Sequence, residues 1–484
     1  MVFEFFKSRS IGCALIVVFT TAFFFPPKLA YAAAGDGLIA YGEGTVTTPR
    51  YRTWTASSST WGSENSAGTA AATINWVKMK SSPITAGERI MATLGTAASN
   101  NLVVQRWNGS SWSSGWTATN SNNTYHGVDI AYENLTGHAL VVYADGTSTP
   151  KYQIWNGSSW TSGSITLSTS IGTINKVRLT SKINSNTIAA VFEGATAYPS
   201  TNVNAKIWDG NSWGNEPTSG LGSSANYNWE RLDYDVAYET ASADLMVAWT
   251  TYTTSPYWAY ATLVGTTWTK VTNPSAFTGA GESIELTADP SSSSSQIAMT
   301  FIDEVAILNA GRWNGSSWSL DTNLDTAADK TYRPDVAFAG TTGNAIIVYA
   351  DIGATQFRDD IDWYRSVGGA AFTKQSDVSG AGAYENLWTL TPDANSSKIM
   401  AVRLDVNNDI FAYVYNDSDQ SWTTTNSGTA LETNASSTYE CVAFAYESVF
   451  NIPTLGVTLT VVVISSFIAI MVKRKVFFLK PSPV

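Results

Sequence analysis

Cysteine and histidine are nearly absent from this chain of 484 residues, which contains two of each. Cys13 lies in an N-terminal segment that we expect to be removed, so the mature chain keeps Cys441 and can form no internal disulfide. With only His126 and His138 present, a histidine-rich metal site is excluded and a Ser-His-Asp triad has few places to form. The fold must therefore be held together by its core.

Charged residues are also scarce, at 14% of the chain, and no basic cluster lies outside the two ends. Together with a net charge of −11, this makes nucleic acid a poor candidate partner. Aromatic residues are plentiful instead (19 Trp, 22 Tyr and 19 Phe), in short apolar runs separated by Ser, Thr, Gly and Asn. This pattern predicts an all-β fold of many short strands joined by polar turns.

The N-terminal segment, residues 1–34, has the features of a secretory signal peptide. Lys7 and Arg9 precede an apolar run, and small residues at Ala-x-Ala spacing follow it. This order of charge, apolar run and cleavage site is typical of an exported chain. We therefore expect the rest of the protein to leave the cytoplasm.

The C-terminal segment contains an uncharged stretch that predicts a transmembrane helix over residues 451–472. A helix of this length spans roughly 30 Å, one hydrocarbon core. Basic residues follow at once, so residues 473–484 are expected to form a cytoplasmic tail. The sequence thus predicts a single-pass cell-surface protein with residues 35–450 outside. The "NIPTLG" before the apolar stretch also resembles a C-terminal sorting signal of the exosortase-related type, although the residues that usually follow that motif are missing.

The region between these ends is repetitive. "RWNGSSW" at 106–112 returns in modified form along the chain, and its second aromatic residue recurs every 48 to 55 residues. The eight positions are Trp61, Trp112, Trp160, Trp213, Trp268, Trp318, Phe372 and Trp422. Each unit contains four short apolar segments, as expected for a four-stranded propeller blade.

The chain resembles the secreted and cell-surface β-propellers built from repeats of about 50 residues, here with the motif W-[ND]-G-x-S-W. The first unit is split: "YECVAFAYE" at 439–447 aligns with "YHGVDIAYE" at 125–133, the strand that the exported N-terminus lacks. The resemblance implies eight blades of four antiparallel strands, with the last strand completing the first blade and covering its edge. An open array of six or seven blades and two packed sandwich domains are the alternatives.

Successive units alternate between two types, so the true period is near one hundred residues. One type has "VDIAYE" (128–133) or "DVAYE" (235–239) as its first strand, and the other has "TINWVKMK" (73–80) or "TINKVRLT" (173–180). Four copies of a two-blade unit explain this alternation. We therefore expect pseudo-fourfold order in the ring.

The recurring motif predicts a hairpin. Asn-Gly between aromatic-rich strands favours a type I′ turn, in which Trp107 would face Ser110 and lie diagonal to Trp112 on the face packed against the next blade. A structural role is thus predicted for the tryptophan pairs, and repeated carbohydrate stacking is the alternative. The hairpin residues are Trp107, Asn108, Gly109, Trp112, Trp155, Trp160, Trp208, Trp213, Trp313 and Trp318.

Acidic residues that recur at equivalent positions are the candidate ligand- or cation-binding residues. They fall in the first strand of alternate units, or just after the second strand of the same units: Asp129, Asp235 and Asp335, and Asp145, Asp351 and Glu43. Antiparallel pairing would bring the two sets near one rim, where carboxylates could bind a cation or a hydroxylated ligand. The alternative is that they cap turns. "DVNND" at 405–409 is weakly similar to a calcium loop, so calcium is the one cofactor considered.

These observations predict a membrane-anchored, monomeric propeller that acts outside the cell as a binding or adhesion module for glycan or protein. No catalytic residue can be assigned. The enzyme alternative is a glycoside hydrolase or polysaccharide lyase, which if hydrolytic would need two carboxylates about 5–10 Å apart in a pocket. A structural surface protein without a small ligand is the third alternative.

Overall fold

The computed structural model describes residues 33–70, 72–120, 125–197, 200–224, 232–251, 255–277, 279–330, 333–351, 360–379, 385–436 and 440–447. The predicted membrane helix and basic tail lie outside these ranges, as does the predicted signal peptide except for its last two residues. The helix found in these ranges is a 3₁₀ turn at Asn426–Gly428. Among the described residues, no helix has the length and apolar character needed to cross a membrane.

All other regular structure in the described ranges is β-strand. The strands of the first half are β1 (Gly37–Tyr41), β2 (Arg50–Thr55), β3 (Thr60–Trp61), β4 (Asn65–Ser66), β5 (Ile74–Ser81), β6 (Glu88–Gly95), β7 (Leu102–Asn108), β8 (Trp112–Ala118), β9 (Val128–Tyr132), β10 (Ala139–Tyr143), β11 (Lys151–Trp155), β12 (Trp160–Ser164), β13 (Thr173–Ser181), β14 (Ile188–Ala197), β15 (Ser200–Trp208), β16 (Trp213–Gly214) and β17 (Gly222–Ser224). Those of the second half are β18 (Tyr234–Tyr238), β19 (Leu245–Thr250), β20 (Trp258–Val264), β21 (Thr267–Val271), β22 (Gly281–Ala288), β23 (Ile297–Asp303), β24 (Leu308–Trp313), β25 (Trp318–Asp325), β26 (Asp335–Phe338), β27 (Ala345–Tyr349), β28 (Asp360–Ser366), β29 (Thr373–Lys374), β30 (Val378–Ser379), β31 (Glu385–Pro392), β32 (Lys398–Asp405), β33 (Ile410–Asn416), β34 (Ser421–Thr424) and β35 (Val442–Tyr446).

The strands form eight antiparallel sheets, each with four strand positions from the centre outwards. Blades 2 to 8 begin at the centre with β5, β9, β13, β18, β22, β26 and β31, and blade 1 begins with β35. Each of these inner strands contacts the inner strands of the blades on either side, and β31 contacts β35, which contacts β5. The prediction of an eight-bladed, four-stranded β-propeller is therefore confirmed.

Blade 1 is closed by the last described strand, as the split first unit predicts. β35 pairs antiparallel with β1 in a continuous register from Gly37 opposite Tyr446 to Tyr41 opposite Val442. Ring closure therefore rests on a non-covalent pairing between the two ends of the propeller. The pairing also removes two strand edges that could otherwise recruit a foreign strand.

The two-blade period has a structural counterpart in the inner strands. In blades 2, 4, 6 and 8 the inner strand has eight or nine residues, and its register shifts after the first pair, or in blade 4 after the second. In blades 1, 3, 5 and 7 it has four or five residues and pairs without a shift. A β-bulge places one extra residue in a strand and bends it. Bulged and regular inner strands thus alternate around the ring.

The hairpin motif differs in register from the sequence prediction. Trp107 lies directly opposite Trp112, and the same direct pairing joins Trp155 to Trp160. The prediction of a two-residue type I′ turn was wrong, since only Gly109 has a positive φ (+96°) and four residues separate the tryptophans. The Asn108 side chain explains the longer loop, because its Oδ1 accepts hydrogen bonds from the N–H groups of Ser110 (3.0 Å) and Ser111 (2.9 Å).

The tryptophan pairs lie at the contacts between blades. Trp208 of blade 4 is buried, and its ring centroid lies 5.5 Å from that of Trp213. Tyr152 of blade 3 contacts both rings, at 5.9 and 5.7 Å. The Trp208 indole N–H donates to the buried Glu133 of blade 3 at 2.7 Å. In blade 6, Trp313 and Trp318 repeat the arrangement with Tyr260 and Glu239 of blade 5.

Candidate functional site

The inner strands bring one side chain from each blade to the same level of the central channel. In ring order from blade 1 these are Ala443, Lys78, Asp129, Arg178, Asp235, Glu285, Asp335 and Thr389. Arg333 and Glu440 line the same cavity, which has a volume of about 310 Å³. The exposed Lys80 belongs to its mouth. The channel wall is therefore a band of acidic and basic side chains, which we call the charged band.

The basic residues of the charged band each contact a carboxylate. Arg178 lies 3.1 Å from Asp235 Oδ1 and 3.5 Å from Glu285 Oε1. Arg333 Nη1 lies 2.6 Å from the same Glu285 oxygen, and its Nη2 contacts Glu440. Lys78 also contacts Glu440. The ion pairs thus run through the band from blade 5 to blade 2.

The three strand aspartates predicted from the repeat also join neighbouring blades. Asp129 Oδ2 accepts from the backbone N–H of Leu179 at 2.8 Å, which ties blade 3 to blade 4. Asp235 accepts from Leu286 at 2.9 Å and Asp335 from Leu390 at 2.7 Å, which ties blades 5 and 6, and 7 and 8. In blade 1 the equivalent position is Ala443. Each aspartate therefore lines the channel and accepts a hydrogen bond across a blade boundary.

We expect Asp129→Leu to lower the free energy of unfolding by about 1–3 kcal/mol, because the N–H of Leu179 loses its acceptor while it stays buried. Asp129→Asn keeps an oxygen at the same place and should cost clearly less. Urea denaturation of the two variants checks this. Equal destabilisation by both substitutions would contradict the role of the Asp129 side chain as the acceptor for the Leu179 N–H group.

Burial and neighbouring charges shift the pKa values of several side chains in the charged band. Burial raises the pKa of Glu285 to about 8; Arg333 opposes the rise, and Asp335 and Asp235 add to it. Burial, with the charges of Arg178 and Arg333, lowers the pKa of Lys78 to about 7. Burial also raises the pKa of Asp335. The band therefore contains groups that change charge near neutral pH.

Two grooves beside the ends of the inner strands share lining residues with the channel cavity. The first, about 270 Å³, has Ile130–Tyr132 of blade 3 as its floor, with Lys80 and Ser81 on one side and Thr180 and Ser181 on the other. The second, about 380 Å³, has Val236–Tyr238 of blade 5 as its floor. Thr180 lines the channel cavity and both grooves. The short inner strands leave these recesses because their bulged neighbours are longer.

The other predicted acids do not line the channel cavity. Asp145 accepts from Thr147 N–H at 3.1 Å and Glu43 from Arg50 Nε at 2.5 Å, both in the loop between the second and third strands of a blade. Asp351 follows β27 and forms an isolated bridge with Ala328. The antiparallel pairing thus brings Asp129, Asp235 and Asp335 into one channel and leaves the second set outside it.

Sequence reasoning missed five charged residues of the band: Lys78, Arg178, Glu285, Arg333 and Glu440. A signal was present in two neighbouring inner strands. Lys176 and Arg178 of blade 4 are two residues apart, as are Asp233 and Asp235 of blade 5. Residues two apart share a face of a strand, so this pattern predicts two ion pairs between blades. Both form, at 2.7 and 3.1 Å.

The acids do not make a recognisable metal site. Over the described ranges, no group of three or more His, Cys, Asp or Glu side chains is arranged to hold a metal ion. In the calcium-like stretch, Asp405 Oδ1 accepts from the backbone N–H groups of Asn407 (2.9 Å) and Asp409 (2.8 Å), as in an ordinary turn.

The fold and the channel define the chain as an eight-bladed β-propeller with a charged central channel. No protein-family model and no curated protein matches the sequence. Among solved structures, the chain is similar to the BP39L lectin from Burkholderia pseudomallei, with a TM-score of 0.51 and 9% identity over 74% of this chain and 99% of the lectin.

Two further structures superpose less closely. A fucose-specific lectin from Aleuria aurantia has a TM-score of 0.39 and 10% identity over 63% of this chain and 96% of its own. A polysaccharide lyase named as an ulvan lyase has a TM-score of 0.41 and 12% identity. The match covers 74% of this chain and 95% of the lyase. At these identities the likeness concerns the fold alone.

Proposed function

We propose that this chain is a membrane-anchored binding module that displays its propeller outside the cell and binds glycan in the central channel. The observation that carries the proposal is that the channel cavity and two grooves beside it share lining residues, among them Thr180. Carboxylates and guanidinium groups line the channel cavity, and Thr and Ser hydroxyls line the grooves. A glycan has hydroxyl groups that donate and accept hydrogen bonds in several directions, and this lining supplies partners of both kinds.

The sizes and the lining support a ligand-binding role. The three recesses, of about 270 to 380 Å³, lie at the lower end of the range for small-ligand sites. Among the described residues, Phe444 is the one aromatic residue that lines the channel cavity, and it is buried, as are Tyr132 and Tyr238 in the grooves. Contacts with the ligand would therefore be mainly hydrogen bonds. The Burkholderia propeller of similar fold is itself a lectin.

Intact cells that express the full-length chain provide the test. Fluorescent glycans from a broad panel should bind them, and Thr180→Trp should abolish binding by filling the junction of the three recesses. Thr161→Trp, on the exposed outer strand of blade 3, is the matched control and should bind normally. If glycans bind only after permeabilisation, the proposed orientation is wrong. If the folded protein binds none of them, the glycan function itself fails.

A further inference from the structure

Among the described residues, Glu285 Oε2 is the buried carboxylate oxygen of the charged band that has neither a hydrogen-bond nor an ion-pair partner. Glu285 is 8% exposed and lines the channel cavity, and its Oε1 contacts Arg178 and Arg333. Its Oε2 is buried and has no hydrogen-bond partner among the described residues. A buried acceptor without a donor costs free energy, so the site as it stands is incomplete.

In the ionised form of Glu285 the partner missing at Oε2 must be a donor, and in the protonated form a ligand donor would have to displace the proton of the carboxyl group. Lys78, Arg178 and Arg333 each already contact at least one carboxylate. An anionic ligand would have to compete with these pairs, whereas a donor finds Glu285 Oε2 available. Hydroxyl and ammonium groups both donate, and the surrounding charge distinguishes between them.

The charge around Glu285 favours an ammonium group. Asp235 and Asp335 flank it on the neighbouring blades, so blades 5, 6 and 7 present three carboxylates in succession. The band as a whole holds five carboxylates against the three basic residues Lys78, Arg178 and Arg333, with the exposed Lys80 as a fourth at the mouth. Both guanidinium groups contact Glu285 through Oε1, so among the described residues no cationic group is paired with Oε2.

Building on the proposed glycan function, we propose that the channel binds a glycan bearing a protonated amino group, with Glu285 Oε2 accepting a hydrogen bond from that group. The grooves would take the neighbouring sugar units beside Thr180 and Thr287. The metal alternative has no suitable ligand cluster in the described ranges.

The raised pKa of Glu285 gives the proposal a specific signature. Arg178, Arg333, Asp235 and Asp335 are the charged groups around it, and with them its pKa is about 8. At pH 6 the carboxyl of the unliganded protein therefore carries a proton. Pairing with an ammonium group requires the carboxylate, so binding at pH 6 should release about one proton.

Calorimetric titration of the full-length protein in detergent tests this with a glucosamine trisaccharide and its N-acetylated counterpart. The amino form should bind at least tenfold more tightly. Glu285→Gln should weaken its binding about ten- to hundredfold, in line with loss of a charge-assisted hydrogen bond, and abolish proton release. Asp209→Asn is the matched control, because three other blades already carry Asn at that position of the hairpin. Its binding should be unchanged.

The outcomes separate the two proposals. Equal affinity for both trisaccharides would overturn the amino-group preference and leave glycan binding standing. Unchanged binding by Glu285→Gln would remove Glu285 from the site. Tighter binding of a lysine-rich peptide than of any glycan would identify a protein ligand and overturn both. Unfolding curves of each variant show whether a loss of binding reflects a loss of fold.

Discussion

Replacing Lys176 by Leu is expected to lower the free energy of unfolding by about 3–5 kcal/mol, one of the two largest effects predicted for this protein. Lys176, Glu193 and Asp233 are completely buried, and Lys176 Nζ lies 3.0 Å from Glu193 and 2.7 Å from Asp233. Although burial alone would lower it, these two carboxylates hold the pKa of Lys176 above its ordinary value. Without the ammonium group, two carboxyls would share a buried site with no cation.

The loss should depend on pH in a defined direction. Burial, with the charge of Asp233, already raises the pKa of Glu193 well above its ordinary value, against the pull of Lys176. At pH values above about 4, the ordinary pKa of a carboxyl group, the folded Lys176→Leu variant should therefore bind more protons than its unfolded chain. Its stability should rise as the pH is lowered towards that value. Thermal unfolding between pH 7 and pH 4.5 measures the trend.

Blade 8 supplies the control. The equivalent positions of Lys176 and Glu193 there are Leu387 and Leu404, which face each other across the inner strands. A triple variant, Lys176→Leu with Glu193→Leu and Asp233→Asn, should recover most of the lost stability, since no buried charge is left unpaired. A triple variant as unstable as the single one would show that packing, and not charge, is responsible.

The sequence determined the architecture well because the repeat constrained every blade at once. The spacing of the second aromatic residue gave the blade number, and the match of 439–447 to 125–133 gave the closure. These predictions did not depend on the exact boundaries of any strand. Every blade of a propeller has the same strand arrangement, so a wrong strand assignment in one repeat can be recognised by comparison with the other repeats.

Finer geometry could not be predicted, because side chains and bulges override local patterns. The Asn108 side chain caps two amide groups and so makes a four-residue loop out of an expected two-residue turn. The bulge after Ile174 sets which residues of blade 4 face the channel. Its effect depends on pairing with β14, which strict alternation of residues does not reveal. Residue spacing could have revealed the pairing of Lys176 and Arg178 with Asp233 and Asp235, but not the rest of the charged band.

The second large effect is expected at the closing strand: Phe444→Ala should lower the free energy of unfolding by about 3–5 kcal/mol. Phe444 is 4% exposed, and its ring makes edge contacts with Trp61 at 6.0 Å and Tyr446 at 4.8 Å. It also covers Gly37 so closely that a Cβ at that position would collide with the ring. The side chain therefore holds β35 against β1.

Phe338→Ala is the matched control, since Phe338 is equally buried in the inner strand of blade 7, where consecutive strands follow one another in the chain. Both variants should lose similar global stability. Only Phe444→Ala should lose hydrogen-exchange protection selectively in β1 and β35, because no peptide link holds that pair together when its packing weakens. Contacts from blade 2 would remain, among them Arg89 at 2.9 Å from Glu447 and Ser81, which donates to the Tyr446 carbonyl at 2.6 Å. If protection fell equally in both variants, the closing strand would be no weaker than any other blade, and ring opening would not begin there.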